Sequence, residues 1–269
     1  MLRVTLRHVG LFTIACGLLI AGGCDGEGLI VSRQHLDEGL VIVLPGIDGG
    51  GFRNLAIADA LKEQNVPAAV EIWDWTSPLG PLFNQTAMDA NRARAADLAR
   101  RIARYHKEYP NGQVYLIGHS GGTAIAAWAA ECLAAEQIAL GGIVMLGSSL
   151  SPGYDLSTAL QATRSGIVNF YSPGDGVLGG AVSMVGTMDR VNTAGAGKVG
   201  FDSRGDGDKL VQVPWTGEMA AAGNYGDHFS CCNGKFIASY VAPLITRWNQ
   251  STLATASPAP VPQPTVAGQ

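Results

Sequence analysis

Short apolar runs alternate with longer segments of helical character along the central part of the chain. Runs with so few polar residues are typical of strands that are buried on both faces of a sheet. We assign strands to residues 40–44, 68–73, 114–117, 142–146 and 167–171, and a weaker one to 209–213. The segments between them predict helices over 55–64, 87–107 and 123–137. Buried strands that alternate with helices predict an α/β fold with a mostly parallel sheet.

Weakly patterned segments flank and interrupt this core. Residues 24–36 predict a tether, within which 25–36 could also supply a first strand, and the Gly-rich stretch 177–204 predicts an active-site loop or a small insertion. The end of the chain is rich in Pro, Ala and Thr and cannot build a core. We therefore expect one domain over 37–248, followed by a disordered Pro-rich tail over 249–269.

The N-terminus has the pattern of a secretory signal peptide. Arg3 and Arg7 precede an apolar run over 9–20, which ends in small residues directly before Cys24. This arrangement resembles a bacterial lipobox, although Ala21 stands where a Leu is usual. The resemblance implies cleavage after residue 23, a lipid on Cys24, and a chain anchored on the periplasmic side of the cell envelope. An ordinary cleaved signal, which would give a secreted protein, and a plain membrane anchor remain open.

Composition narrows the class of protein. The 269 residues are 47% hydrophobic, with a net charge of -4, and no basic stripe follows the signal segment. We therefore expect no nucleic-acid partner. Besides Cys24, three cysteines would remain after processing, and an odd number allows at most one bridge. A bridge from Cys132 to either Cys231 or Cys232 is one possible pairing. No four-ligand metal set is apparent, so we expect no metal and no cofactor.

The strongest candidate for a catalytic motif is Gly118-His119-Ser120-Gly121-Gly122. This GxSxG pattern follows a predicted buried strand and precedes a predicted helix, which is the context that a nucleophile elbow requires. Glycines two positions before and after the serine are needed because side chains there would collide with neighbouring backbone. Strand, elbow and helix together resemble the α/β-hydrolase family. The resemblance implies an activated Ser120 and a mostly parallel central sheet flanked by helices, with no large cap domain.

A serine nucleophile needs a base, and the base needs an acid that orients it. The family implies the order Ser, Asp or Glu, His, and His228 is the one histidine downstream of Ser120. Asp175 lies in a turn just past the strand at 167–171, where the family places its acid. The remaining candidates for the acid are Asp155, Asp189, Asp202 and Asp227.

The same resemblance implies two backbone N–H donors for an oxyanion. One belongs to Gly121, and the other to the Gly-rich loop after the first buried strand, at Ile47 or, less favoured, at Asp48. Pro45 replaces the histidine of the family's usual loop. A Gly-rich loop can also cradle phosphate, but no Walker Lys-Ser or Lys-Thr pair follows it.

The resemblance implies a serine hydrolase that cleaves a carboxylic ester, of a small or lipid-like substrate, through an acyl-enzyme on Ser120. Acyl transfer, or cleavage of a thioester or amide, would use the same residues, and the fold does not choose among these reactions. A non-catalytic envelope lipoprotein that binds a ligand or partner is the alternative from another class. The sequence does not predict an oligomeric state.

Overall fold

A seven-stranded sheet in the order β1-β3-β2-β4-β5-β6-β7 forms the centre of the computed structural model, which describes residues 29–33, 35–202 and 209–256. The first strand pairs antiparallel with β3, and the other six strands are parallel. The strands are β1 (Leu29–Ser32), β2 (Gly39–Leu44), β3 (Ala69–Ile72), β4 (Gln113–His119), β5 (Gly142–Leu146), β6 (Ile167–Tyr171) and β7 (Leu210–Pro214). The predicted signal peptide and Cys24 lie outside the described residues.

Helices cover both faces of this sheet. Four of them connect the central strands: α1 (Phe52–Glu63), α2 (Pro81–Thr86), α3 (Met88–Glu108) and α4 (Gly122–Ala135). Short helices follow, namely α5 (Ser157–Gln161), α6 (Gly176–Gly179), α7 (Ala181–Val185) and α8 (Ala196–Val199). The chain then forms 3-10 turns at Gly217–Ala222 and Ser230–Cys232, α9 (Gly234–Phe236), a π-helical turn at Ile237–Val241 and α10 (Ala242–Ala256). None of the helices in the described ranges is long and apolar enough to span a membrane.

Alternate residues of each central strand supply two separate cores. In β2, for example, Leu40 and Ile42 face the core beneath α3 and α4, whereas Val41 and Val43 face the core beneath α1 and α10. All four side chains are fully buried, because the sheet is covered on both sides. The uninterrupted apolar runs of the sequence are explained by this arrangement, and the prediction of a mostly parallel α/β sheet is confirmed.

The C-terminal boundary differs from the prediction. Helix α10 continues to Ala256, so the predicted disordered tail from residue 249 was wrong for its first eight residues. Trp248 stacks on Tyr115 of β4, and Asn249 is buried and accepts a hydrogen bond from the Tyr115 hydroxyl at 3.1 Å. These contacts hold the last helix on the sheet, and they are not visible in the composition of the segment. The tail from residue 257 lies outside the described residues.

Two other weakly patterned segments contain regular structure. The stretch predicted as a tether includes β1, so the alternative of a first strand describes it better. The Gly-rich stretch over 177–204 contains three short helices rather than one irregular loop. Helix α2 was not predicted, although Pro81 at its first position is a recognised signal for a helix start.

The predicted disulfide is not formed. Cys132, Cys231 and Cys232 are free thiols in the structure. Cys132 lies on α4 and packs against the core on one face of the sheet, whereas Cys231 and Cys232 belong to the core on the other face. The sheet therefore lies between Cys132 and the other two cysteines. A disulfide needs Cα atoms within about 7 Å, so this arrangement does not permit the bridge.

Candidate active site

Ser120 occupies a sharp turn between β4 and α4 at the carboxyl edge of the sheet. Its φ of 51° lies in the left-handed region, which non-glycine residues rarely adopt. The turn is held from both sides, because the Ser120 N–H donates to the Leu146 carbonyl at 3.0 Å and the Thr123 hydroxyl donates to the Ser120 carbonyl at 2.6 Å. The strained backbone directs the hydroxyl away from the strand's end.

The flanking glycines are required by close backbone contacts. A Cβ on Gly118 would lie 2.7 Å from the Gly122 carbonyl oxygen, and a Cβ on Gly122 would lie 2.4 Å from the Leu44 carbonyl oxygen. Both distances are well below van der Waals contact. Strand β2, strand β4 and helix α4 therefore approach one another as closely as they do only because these two positions lack side chains.

His228 connects Ser120 to Asp175 in one hydrogen-bonded chain. The His228 Nε2 lies 2.9 Å from the Ser120 Oγ, and its Nδ1 lies 2.7 Å from the Asp175 Oδ2. A carboxylate only accepts, so Nδ1–H donates to Asp175, and Nε2 is free to accept the serine proton. All three residues are at least 95% buried. The structure thus brings together the three side chains that the sequence singled out.

The position of Asp175 is fixed by the helix that follows it. Asp175 caps the N-terminus of α6, where its Oδ1 accepts from the Leu178 N–H at 2.9 Å, which leaves Oδ2 for His228. The other acid candidates do not occupy this position. Asp155, Asp189 and Asp227 accept hydrogen bonds from backbone N–H groups of other residues, and Asp202 is exposed.

Two side chains support the His228 loop from behind. The His119 Nε2–H donates to the His228 carbonyl at 3.0 Å, and the Cys231 thiol donates to the same oxygen at 3.4 Å. Asp227 accepts from the N–H groups of Phe229 and Ser230 and so closes the turn. The imidazole of His119 in the elbow therefore orients the backbone of His228.

Burial lowers the pKa of His228 below its ordinary value of 6.5, and the hydrogen bond to Asp175 opposes this shift only in part. A base must be neutral to accept a proton, so a lowered pKa extends activity toward acid. We expect kcat/KM to stay constant through neutral pH and to fall only as pH drops through an apparent pKa below 6.5. A pH profile of kcat/KM checks this, and an acid limb centred above 6.5 would contradict it.

The Gly-rich loop after β2 lies directly against the elbow. A Cβ on Gly121 would come within 2.7 Å of the Ile47 Cγ2, so the residues of the two predicted oxyanion donors are neighbours. Two side chains fix this loop: Asn84 donates to the Ile47 carbonyl at 2.9 Å, and Trp75 donates to the Pro45 carbonyl at 2.8 Å. The sequence did not predict these roles of Asn84 and Trp75, since no local motif marks long-range hydrogen bonds.

One group of side chains in the described part of the chain has the composition of a metal site. The ligand atoms of His119, Cys231 and Cys232 all lie within 4.8 Å of one another. A hydrogen bond with Cys232, together with burial, raises the pKa of the Cys231 thiol well above its ordinary value. His119 and Cys231 already donate hydrogen bonds to the His228 carbonyl, so the cluster supports the backbone of the His228 loop.

A family profile described as "alpha/beta hydrolase fold" matches residues 39–172 of the chain. This range begins at β2 and ends just after β6, so it includes the elbow and stops shortly before Asp175. Together with the mostly parallel sheet, the match establishes that the chain has the α/β-hydrolase fold. A comparison with curated protein sequences finds no match.

Several solved structures are similar to this chain at low sequence identity. TT1662 from Thermus thermophilus is 15% identical, with 80% of this chain and 89% of that chain covered and a TM-score of 0.47. The esterase domain of a Rhodothermus marinus protein is 15% identical, with coverages of 83% and 90% and a TM-score of 0.46. An alpha-beta serine hydrolase homologue from Coxiella burnetii is 13% identical, with coverages of 78% and 84% and a TM-score of 0.42.

Proposed function

We propose that the protein is a serine hydrolase of the α/β-hydrolase family that cleaves carboxylic esters through an acyl-enzyme on Ser120. The hydrogen-bonded chain from Ser120 through His228 to Asp175 is the observation that carries this proposal. A buried serine with a strained backbone, a neutral imidazole and a buried carboxylate has the arrangement that activates a hydroxyl at neutral pH.

In the proposed reaction, the Ser120 Oγ attacks the ester carbonyl while His228 Nε2 takes its proton. Asp175 holds the Nδ1–H tautomer of His228 and stabilises the imidazolium that forms. The N–H groups of Ile47 and Gly121 donate to the oxyanion of the tetrahedral intermediate. His228 then protonates the leaving alcohol. Water, deprotonated by the same imidazole, attacks the acyl-enzyme and releases the acid and Ser120.

Replacing Asp175 by Asn is expected to lower kcat by roughly 10⁴-fold with little change in KM, as in the equivalent serine protease change. The amide can donate to His228 Nδ1, which places the proton on Nε2, where the serine proton should be accepted. Asp227→Asn is the matched control, because it changes the neighbouring carboxylate of the His228 loop and keeps an acceptor oxygen for the turn. Equal losses in the two variants would show that the effect is structural.

A panel of p-nitrophenyl esters, a thioester and an anilide, assayed with wild type and Ser120→Ala, tests the proposed substrate class. We expect ester cleavage that disappears in the variant. A first acyl-enzyme step also predicts a burst of nitrophenol equal to the enzyme concentration when deacylation is slow. Added alcohol separates hydrolysis from acyl transfer, because a transferase yields a new ester. Ester cleavage that persists in Ser120→Ala would refute the proposal.

We further propose that Cys24 is lipidated and anchors the chain to the cell envelope. The support is the lipobox-like sequence alone. Mass spectrometry of the N-terminal peptide of the mature protein should detect acyl chains on Cys24, and Cys24→Ala should move the protein out of the membrane fraction. A mature chain that begins elsewhere, without acyl groups, would refute this assignment.

A further inference from the structure

The large apolar side chains that the described residues expose are distributed unevenly. Ten of these side chains are exposed in the described residues. Nine of them lie on segments at the carboxyl edge of the sheet, where Ser120 lies, and the tenth is on the edge strand β7. None of the ten lies in the connections at the opposite, amino edge (64–68, 109–112, 136–141 and 162–166). Most of the exposed residues near that edge are polar or charged, among them Lys62, Asn65, Lys107, Glu136 and Arg164.

Five of the exposed residues form what we call the apolar rim: Phe52 (75% exposed), Leu79 (71%), Leu82 (67%), Met184 (86%) and Phe229 (46%). They follow four different strands, β2, β3, β6 and β7. A monomeric soluble protein rarely gathers large apolar side chains on one side, and such a gathering marks an interaction surface.

Specific contacts connect the segments that carry the apolar rim. The Arg53 guanidinium lies 5.1 Å from the centre of the Phe52 ring and 4.8 Å from that of Phe229, and it forms an ion pair with Asp48. Helix α2, which bears Leu82, is joined to the oxyanion loop by Asn84 and to the end of α7 by a 2.8 Å hydrogen bond from Gln85 to the Gly186 carbonyl. The rim thus surrounds the Ser120 turn, and the cation within it is paired.

The first strand leads the N-terminus to this same edge. Because β1 is antiparallel to β3, Leu29 lies opposite Ile72, at the carboxyl end of β3. Three strand spacings, about 14 Å, separate β1 from the elbow strand β4. The five peptide units that join Cys24 to Leu29 span at most about 18 Å. A lipid on Cys24 would therefore be held within about 18 Å of Leu29, which lies at the carboxyl edge of the sheet.

We propose that the protein lies on a lipid bilayer with the apolar rim inserted, so that the Ser120 site opens toward the membrane. Three observations support this orientation. The five rim side chains are apolar, the Arg53 guanidinium between Phe52 and Phe229 is paired with Asp48, and the predicted anchor emerges at the same edge. The site would then take its ester from the bilayer to which the chain is attached. The membrane contact itself does not depend on catalysis, whereas this choice of substrate rests on the proposed function.

Depth-dependent quenching tests the orientation. The full chain, purified from membranes in its processed form, is reconstituted into phosphatidylcholine vesicles that contain brominated acyl chains. Tryptophan is introduced at the rim in Leu82→Trp and at the exposed amino edge in Glu136→Trp. We expect the added fluorescence of Leu82→Trp to be quenched and that of Glu136→Trp to be unaffected. Quenching at residue 136, equal quenching at both positions or none at either would overturn the proposal.

A second set of variants distinguishes membrane contact by the apolar rim from catalysis at Ser120. Leu79→Ser combined with Met184→Ser is expected to reduce cleavage of a vesicle-borne ester at least tenfold, while cleavage of a soluble acetyl ester is unchanged, because neither residue contacts the reacting groups. Ser120→Ala should abolish both activities and leave the quenching pattern intact, which distinguishes failure of the proposed function from failure of the orientation. A dimer that persists on vesicles while the tryptophan at residue 82 stays unquenched would show that a second copy of the chain covers the rim. This result would also overturn the proposed orientation.

Discussion

Replacing His228 by Ala is expected to lower kcat by about 10⁶-fold, the size of the loss when the base of a serine triad is removed. His228 is the group within 2.9 Å of the Ser120 Oγ that can accept its proton, so without it the hydroxyl stays protonated and unreactive at neutral pH. Steady-state kinetics with a p-nitrophenyl ester measures the loss, and near-UV circular dichroism verifies that the core remains packed.

His106→Ala is the matched control for this variant. It removes a half-buried histidine near the C-terminal end of α3, at the amino edge of the sheet and so at the edge opposite Ser120, and is expected to leave kcat unchanged. If His228→Ala kept more than about one hundredth of the wild-type kcat, general acid–base catalysis at this position would be too small for a triad base, and the proton acceptor would have to be another group.

Replacing Gly122 by Ala is expected to damage both stability and activity. The new Cβ would lie 2.4 Å from the Leu44 carbonyl oxygen and 2.5 Å from the Pro45 carbonyl oxygen, and backbone cannot move aside as a flexible side chain can. Helix α4 must therefore shift away from β2. Overpacking of this kind destabilises by about 1–3 kcal/mol, or about 2–12 °C in Tm for a domain of this size.

The same shift displaces Ser120 from the oxyanion loop, so we expect kcat to fall at least about 10²-fold. Thermal unfolding and ester kinetics measure the two effects. Gly153→Ala is the control, because nothing lies within 4 Å of the Cβ it would add, and it should leave both quantities near their wild-type values. A Gly122→Ala enzyme with wild-type Tm and kcat would show that the close contact of α4 with β2 is not needed.

Local patterns predicted the centre of the fold because the physics there is local. Each central strand is buried on both faces, so its sequence is uniformly apolar, and the bounds of β5 and β6 agree with the predicted ones residue for residue. The three catalytic candidates could be predicted from the sequence for a related reason. Ser120 lies in a steric motif, Asp175 follows a recognisable strand, and His228 was found by elimination.

The predictions failed for features that depend on contacts between residues far apart in the sequence. The end of α10 is determined by the contacts of Trp248 and Asn249 with Tyr115, more than 130 residues earlier. The number of cysteines permits a disulfide, but it does not show that the sheet lies between Cys132 and the Cys231–Cys232 pair. The residues that hold the oxyanion loop, Asn84 and Trp75, act on carbonyls at least 30 residues away, and no periodicity or spacing encodes such bonds.

Fluorophosphonate labelling of the processed protein tests the central claim most directly, because the reagent reacts only with a serine that a base has activated. The account predicts one label per chain, mapped to Ser120 by peptide mass spectrometry and absent from Ser120→Ala and His228→Ala. Folded wild-type protein that stays unlabelled, or a label on a different serine, would contradict it.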